Sequence, residues 1–137
     1  MSIENLAALR KPFATNKISF KVQTKPNAAG NALIAAYIDA RDVMERLDEV
    51  AGLDWHDEYE KAATDKGIVC KLTVFGVTRV DVGNDDNDTE ATKAAYSDAF
   101  KRAAVKFGVG RFLYDRPRMF GAVRPVGKTF VLVDGEA

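Results

Sequence analysis

The sequence predicts an α+β fold: an antiparallel β-sheet, made of a hairpin plus a three-stranded meander, packed by helices and carrying a long basic helix toward the C-terminal end. Three observations carry that expectation. KISFKVQT alternates apolar and polar residues with the period of two that marks a half-buried strand, and the apolar run IVCKLTVFG reads as a buried one. Apolar residues recur at helical spacing along two other stretches, Val43 to Ala51 and Tyr96 to Phe107. The elements run helix, two strands, helix, three strands, long helix, without the strict strand-helix alternation of a parallel sheet. With 137 residues, 47% of them hydrophobic, the chain suffices for one compact domain, residues 1–137, with a real core.

Taken in order, Ser2 to Leu9 predicts a short helix with Ser2 as cap and Glu4 in its first turn, ended by Pro12. Lys17 to Thr24 is the first strand, with Ile18, Phe20 and Val22 on one face. After the turn signal PNAAGN, Ala32 to Ile38 is its partner. Asp39 reads as the N-cap of a helix whose apolar stripe is Val43, Met44, Leu47, Val50 and Ala51. Arg41, Asp42, Glu45, Arg46, Asp48 and Glu49 fill its polar face, and Gly52 closes it. Leu53 to Ala63, with Trp55 and Tyr59, is a strand with a charged outer side. Ile68 to Phe75 and, across a tight turn at Gly76, Val77 to Val82 complete the meander. The polar segment GNDDNDTEAT leads into the long helix, with Asp88 or Thr89 as cap and Glu90 at its positive dipole end. Its pattern persists to Phe107, about five turns. Beyond Gly108 the chain reads as irregular, with Pro117 and Pro125, until a last strand in KTFVLV.

Twenty Lys and Arg balance twenty Asp and Glu, so no net field draws the chain onto a polyanion or a charged membrane. Affinity for nucleic acid has to come from segregated charge, and the segregation is present. Between Lys101 and Lys128 stand eight basic residues and one acid, Asp115; nine acids fall between Asp39 and Glu60 and five between Asp81 and Glu90. The single cysteine, Cys70, cannot form an internal disulfide and suits a reducing compartment. No run approaches the roughly 18 apolar residues of a membrane span. MSIENLAALRK lacks the features of a signal peptide. A soluble, cytoplasmic, nucleoid-associated protein is expected, with no membrane or small-molecule partner.

On the long helix, Tyr96, Phe100, Ala103, Ala104 and Phe107 gather on one side while Lys101, Arg102 and Lys106 point to the other. The basic face is either a solvated surface above a sheet-packing stripe or a binding row. No acid follows Asp98 within the helix, and Arg111 extends the row past the cap, which favours a strip of cations free to hold phosphates. Such a row suits sequence-blind binding, because each contact releases counterions and no base edge is read. Phe112 and Tyr114 serve either base stacking or burial. Gly108-Val109-Gly110 follows a helix rather than opening one, so it reads as a left-handed C-cap and not as a nucleotide loop.

Other chemistry finds little support. Asp81, Asp85, Asp86, Asp88 and Glu90 offer oxygen ligands but lack EF-hand spacing, and read as a solvated loop with an acidic helix start. The lone histidine, His56, has no announced Ser/His/Asp partners and reads as a bystander on a strand. One His and one Cys make no zinc set. No cofactor, no metal and no enzymatic activity are expected.

The stretches YIDARDVMERLDEVAGLDW, VCKLTVFG with the following DVG, and SDAFKRAAVKFGVGR together resemble the Rad52 family of single-strand annealing proteins, in its bacterial DNA-damage-response branch. The likeness runs from about Lys17 to Tyr114. It implies a closed homo-oligomeric ring with single-stranded DNA in a positive groove around its outside, annealed without ATP. By position, Lys101 and Arg102 fall on the family's basic pair at the groove floor, and Lys106 lies one residue past the next groove arginine. Where the family has an arginine in the first matched helix this chain has Asp42, with Arg41 beside it. The family's outer DNA site uses a lysine in the hairpin turn, where this chain is shorter and has Gly76, so that site is not carried over; nor is recombinase recruitment through a tail.

The expected function is therefore single-stranded DNA binding with annealing or end protection in double-strand break repair, through Lys101, Arg102, Lys106, Arg111 and Arg41. Acidic surface around Asp42, Glu45 and Glu49 would meet a neighbour's basic surface to close the ring. The alternative is a protein-interaction module whose basic face docks an acidic partner; a metal-dependent nuclease on the acidic loop is more remote.

Overall fold

A computed structural model describes residues 1–63, 67–84, 93–115, 119–127 and 129–133. In chain order they form α1 (Ile3–Arg10), β1 (Ile18–Val22), β2 (Asn31–Ile38), α2 (Ala40–Ala51), β3 (Trp55–Lys61), β4 (Ile68–Val74), β5 (Val77–Gly83), α3 (Lys93–Val105), β6 (Met119–Val126) and β7 (Thr129–Leu132), with 3-10 turns at Thr15–Lys17 and Arg111–Asp115. The fold is α+β and the strands pair antiparallel, in two sheets. Two compact units divide the chain: Met1–Pro12 with Ala40–Phe112, and Phe13–Asp39 with Leu113–Ala137. No helix among the described residues is long and apolar enough to cross a membrane.

In the first unit, Ser2 and Asn5 form a capping box. The Asn5 N–H donates to Ser2 Oγ and the Ser2 N–H to Asn5 Oδ1, both at 3.1 Å, satisfying two donors that a helix start leaves orphaned. α2 begins directly after Asp39 and buries Val43 and Leu47. Its apolar stripe departs from expectation at two positions. Met44 is 38% exposed, and Arg46, expected on the polar face, is buried at 9%. The cause lies on α1, whose last carbonyls have no helical partner. The Arg46 guanidinium donates to the carbonyls of Leu9 at 3.3 Å and Lys11 at 2.6 Å.

β3, β4 and β5 make the expected meander, with Tyr59 opposite Cys70 and Cys70 opposite Asp81. The two-residue turn at Phe75 and Gly76 has φ of 50° and 78°, the primed geometry that matches strand twist. Ile68, Cys70, Leu72 and Val74 alternate onto one buried face, and α3 lies across it. Phe100 reaches Trp55, ring centroids 6.0 Å apart, and Ala95, Ala99 and Ala103 line up at successive turns, fully buried. The alanines are there because Gly83 of β5 sits against the helix backbone. A Cβ at Gly83 would stand 2.2 Å from the Ala99 nitrogen and 2.6 Å from the Ala95 carbonyl. A helix this close to a strand admits only small side chains on its inner line. Tyr96, expected in the stripe, is accordingly 43% exposed and leans on Tyr59 at 5.2 Å.

The expected long basic C-terminal helix is shown in part: α3 spans 13 described residues, Lys93–Val105, and it is not the last element, because two further strands follow it. The expected caps Asp88 and Thr89 lie outside the described residues. At its other end α3 stops as expected. The Gly108 N–H bonds the Val105 carbonyl at 2.8 Å and the Val109 N–H the Ala104 carbonyl at 3.2 Å, with Gly108 at φ 100°, a Schellman closure in which Val109 and Ala104 are both buried.

The second unit is a four-stranded sheet in the order β1-β2-β6-β7. β1 and β2 are the expected hairpin, with Phe20 opposite Ala36 and Val22 opposite Ile34. β6 is an addition: the segment read as irregular is a strand, pairing Asn31 with Ala122 and Leu33 with Phe120. Pro125 does not prevent it, because β2 pairing ends at Ala122 and the Val123 N–H, bonded to the Gly30 carbonyl at 3.0 Å, makes the last bond on that flank before the proline among the described residues. Ala32, Ile34 and Ile38 are buried on one face of this sheet.

Candidate nucleic-acid interface

The expected basic row lies where α3 meets β5, in the first unit. Lys101 is half-buried on α3, whereas Arg102 and Lys106, one turn apart, are 54% and 45% exposed. Neither is unpaired. Arg102 Nε donates to Asp98 Oδ2 at 3.0 Å, and the same oxygen accepts the Asn84 N–H at 3.1 Å at the end of β5. The Lys106 ammonium hydrogen-bonds the Val80 carbonyl and stands 3.8 Å from Asp81 Oδ2. The strip of cations free of their own chain's carboxylates is thus corrected. Asp98 reaches one turn forward, and β5 supplies an acid that helix periodicity does not register.

Arg111 folds back over the end of α3. Its Nε and Nη2 donate to the Val105 carbonyl at 3.1 and 2.8 Å, and Nη2 also to the Lys106 carbonyl at 3.0 Å. A cation at this end meets the negative pole of the helix, adding donors to the Val105 carbonyl that already accepts the Gly108 N–H and bonding the Lys106 carbonyl as well. Its charge therefore stays at the end of the row while three of its five N–H donors serve the fold. Arg41 is exposed in the first turn of α2, a separate element.

One further cation belongs to the α3–β5 edge. Arg79 is exposed and its guanidinium lies 5.9 Å from the Phe107 ring centroid, near enough for a cation–π attraction. Sequence reasoning passed over it because VTRVDV invites burial of its valines. The register does the reverse: Val77, Arg79, Asp81 and Gly83 share the side that meets α3, and Val80 and Val82 are each 40% exposed on the other. The signal was the neighbouring IVCKLTV, whose unambiguous buried set determines the phase of its partner.

Of the remaining candidates, Arg116, Arg118, Lys128 and the acidic Asp85, Asp86, Asp88 and Glu90 lie outside the described residues. Among the described residues no three His, Cys, Asp or Glu side chains are grouped to hold a metal ion. His56 is exposed on the outer face of β3. Tyr114 is 69% exposed and Phe112 half-buried. Below α3, burial raises the Cys70 thiol to about 11. Burial and a 2.5 Å hydrogen bond to Asp57 Oδ2 push the Tyr59 hydroxyl well above the usual phenol range. Cys70 is fully buried and Tyr59 half-buried, and both keep their protons at neutral pH.

Comparison with known proteins adds a family and two relatives. Residues 3–124 match the family described as Rad52/22 family double-strand break repair protein. The chain is 43% identical over 118 residues to the single-stranded DNA-binding protein DdrA of Deinococcus radiodurans, covering 82% of this chain and 55% of that protein. It is 42% identical over 120 residues to the protein of the same name from Deinococcus deserti, covering 83% and 58%. The chain thus spans a little over half the length of the curated relatives it matches. No solved structure matches it.

Proposed function

Because the chain belongs to the Rad52/22 family of double-strand break repair proteins, we propose that it binds single-stranded DNA and anneals complementary strands or protects their ends, without ATP, metal or catalysis. The observation that carries this reading is the 43% identity, over 82% of the chain, to a protein named for single-stranded DNA binding. The family match runs through both compact units, which supports treating residues 1–137 as one annealing domain. The setting is the cytoplasm, at the nucleoid.

Lys101, Arg102, Lys106 and Arg111, with Arg41 from α2, are the residues assigned to the backbone phosphates. Pairing with Asp98 and Asp81 does not disable the exposed members. Surface ion pairs of this kind contribute roughly 0.2–1 kcal/mol. A phosphodiester replacing the carboxylate also releases its condensed counterions, so the exchange runs toward DNA at low salt. Contacts limited to phosphates leave bases free to find complements. Arg79 joins the same edge as a sixth cation.

The domain assembles as a ring of identical subunits. Glu45 and Glu49, exposed on α2, supply acidic surface for a neighbour's cations. Size-exclusion chromatography with light scattering is expected to give a large oligomer, and a monomer at micromolar concentration would count against the ring.

The test of binding is an oligothymidylate titration of the wild-type protein and of the double variant Lys101→Ala, Arg102→Ala. The wild type binds, and the variant binds more weakly with a shallower dependence of log affinity on log salt. Absence of binding by the wild type would favour an acidic protein partner instead; binding unchanged in the variant would remove this row from the interface.

A further inference from the structure

The four-stranded sheet has a second face that the basic row does not explain. Its buried side carries Ala32, Ile34 and Ile38. Register places Lys21, Tyr37, Phe120 and Arg124 on the other side. Lys21 stands opposite Ala35 and Leu33 opposite Phe120, so the alternation that buries Ile34 turns all four the opposite way. Phe120 is 61% exposed, Lys21 and Arg124 are exposed, and the Lys21 ammonium lies 5.5 Å from the centre of the Tyr37 ring. Alanines separate the large groups: Ala35 lies beside Tyr37 along β2, and Ala122 lies between Phe120 and Arg124 along β6. Same-face neighbours on a strand are about 7 Å apart. Phe120, with Leu33 opposite it and Ala122 beside it, keeps much of its ring open to solvent, while Tyr37 is half-exposed beneath the Lys21 ammonium.

An exposed phenylalanine on a sheet would ordinarily mark a protein contact. Charge argues for a different occupant. No Asp or Glu lies on this face among the described residues. The two segments that form the unit hold seven Lys and Arg against four Asp and Glu, in a chain whose totals are equal. Rings interleaved with cations on the exposed face of a sheet are the arrangement that stacks bases while neutralising their phosphates.

We propose that this face is a second contact surface for single-stranded DNA, on which Phe120 and Tyr37 stack bases and Lys21 and Arg124 hold the adjoining phosphates. It rests on the single-strand binding reading above and adds to it a base-dependent contact, whereas the α3 row touches phosphates alone.

The experiment uses the full chain and two labelled oligomers of equal length, oligothymidylate and an abasic strand, titrated by anisotropy. The wild type is expected to prefer oligothymidylate. Phe120→Ala should weaken that binding about tenfold, within the range a single stacked base supplies, leave the abasic strand unaffected and keep the salt slope. Phe120→Trp should restore affinity, with emission beyond that of Trp55 quenched on binding. Equal affinities of Phe120→Ala and wild type for oligothymidylate overturn the proposal, as does an equal loss on both oligomers. A fall in oligomer mass on Phe120→Ala, measured by light scattering, overturns it too and assigns the face to a second copy of the chain. Failure of the wild type to bind either oligomer overturns the single-strand reading and this surface with it.

Discussion

Arg46 of α2 donates from Nη1 to the Lys11 carbonyl at 2.6 Å, so that the end of the first helix is capped by a side chain from the second. The same nitrogen lies 3.3 Å from the Leu9 carbonyl, and burial lowers the guanidinium pKa while nearby Glu49 opposes the shift. Arg46→Met keeps the bulk and removes the donors, leaving buried carbonyls without partners. An unfolding loss of about 2–3 kcal/mol is expected, and Arg46→Lys should recover only part, because an ammonium lacks the planar fork. Urea midpoints decide it, and an unchanged midpoint in Arg46→Met contradicts the capping role.

On the proposed phosphate-binding row, Asp98 would compete with DNA for Arg102. Asp98→Asn keeps an oxygen to accept the Asn84 N–H and discards the charge that pairs with Arg102 at 3.0 Å. Affinity for oligothymidylate at low salt should rise by about two- to threefold, the scale of one exposed ion pair, and the gain should shrink as salt screens the remaining charges. Weaker binding in this variant would show that Asp98 orients Arg102 productively instead of competing for it.

Gly83 is the point of nearest approach between β5 and α3. A methyl group there meets the Ala99 backbone nitrogen at 2.2 Å, and backbone cannot rotate aside as a side chain does. Gly83→Ala should cost about 1–3 kcal/mol as the helix is forced off the sheet, visible as a lower Tm. An equal Tm would mean that the contact is looser than the geometry indicates.

Cys70 predicts an alkaline weakness. Its thiol pKa is raised to about 11 in the fold, so the folded state holds the proton more tightly than the unfolded chain does. That stabilisation is complete below the unfolded thiol pKa, near 8.5, and is lost as pH climbs toward 11. Tyr59 adds to the loss in the same direction. Denaturant midpoints should fall over this interval, and Cys70→Ala should flatten the first part of the decline. A midpoint indifferent to pH between 9 and 11 would refute the burial argument.

Much of the fold was legible because its signals are local. The Ser2 cap, the hairpin of β1 and β2, the meander and the Gly108 closure each rest on residues within a few positions of one another, and all appear where spacing places them. β6 was not legible. Its partner β2 lies some ninety residues earlier, and Pro117 and Pro125 mask a pattern that only the neighbouring strand makes meaningful. Within the candidate site the cations themselves were evident, but the row was read as free of acids although Asp98 stands i, i+4 from Arg102 and pairs with it. Arg79 was missed because its strand carries valines on the side away from the helix.

By itself, the sequence determined most of the helices and strands, β6 excepted, and the family to which they belong, since periods of 3.6 and 2 are properties of consecutive residues. Tertiary structure decided what each cation does: Arg46 closes a helix, Lys106 bonds a carbonyl 26 residues away, and Phe120 stands exposed beside Arg124. The reason is physical. A charge takes its partner from whatever backbone or carboxylate the fold brings within about 4 Å, and that neighbour is chosen by packing between elements, not by position along the chain.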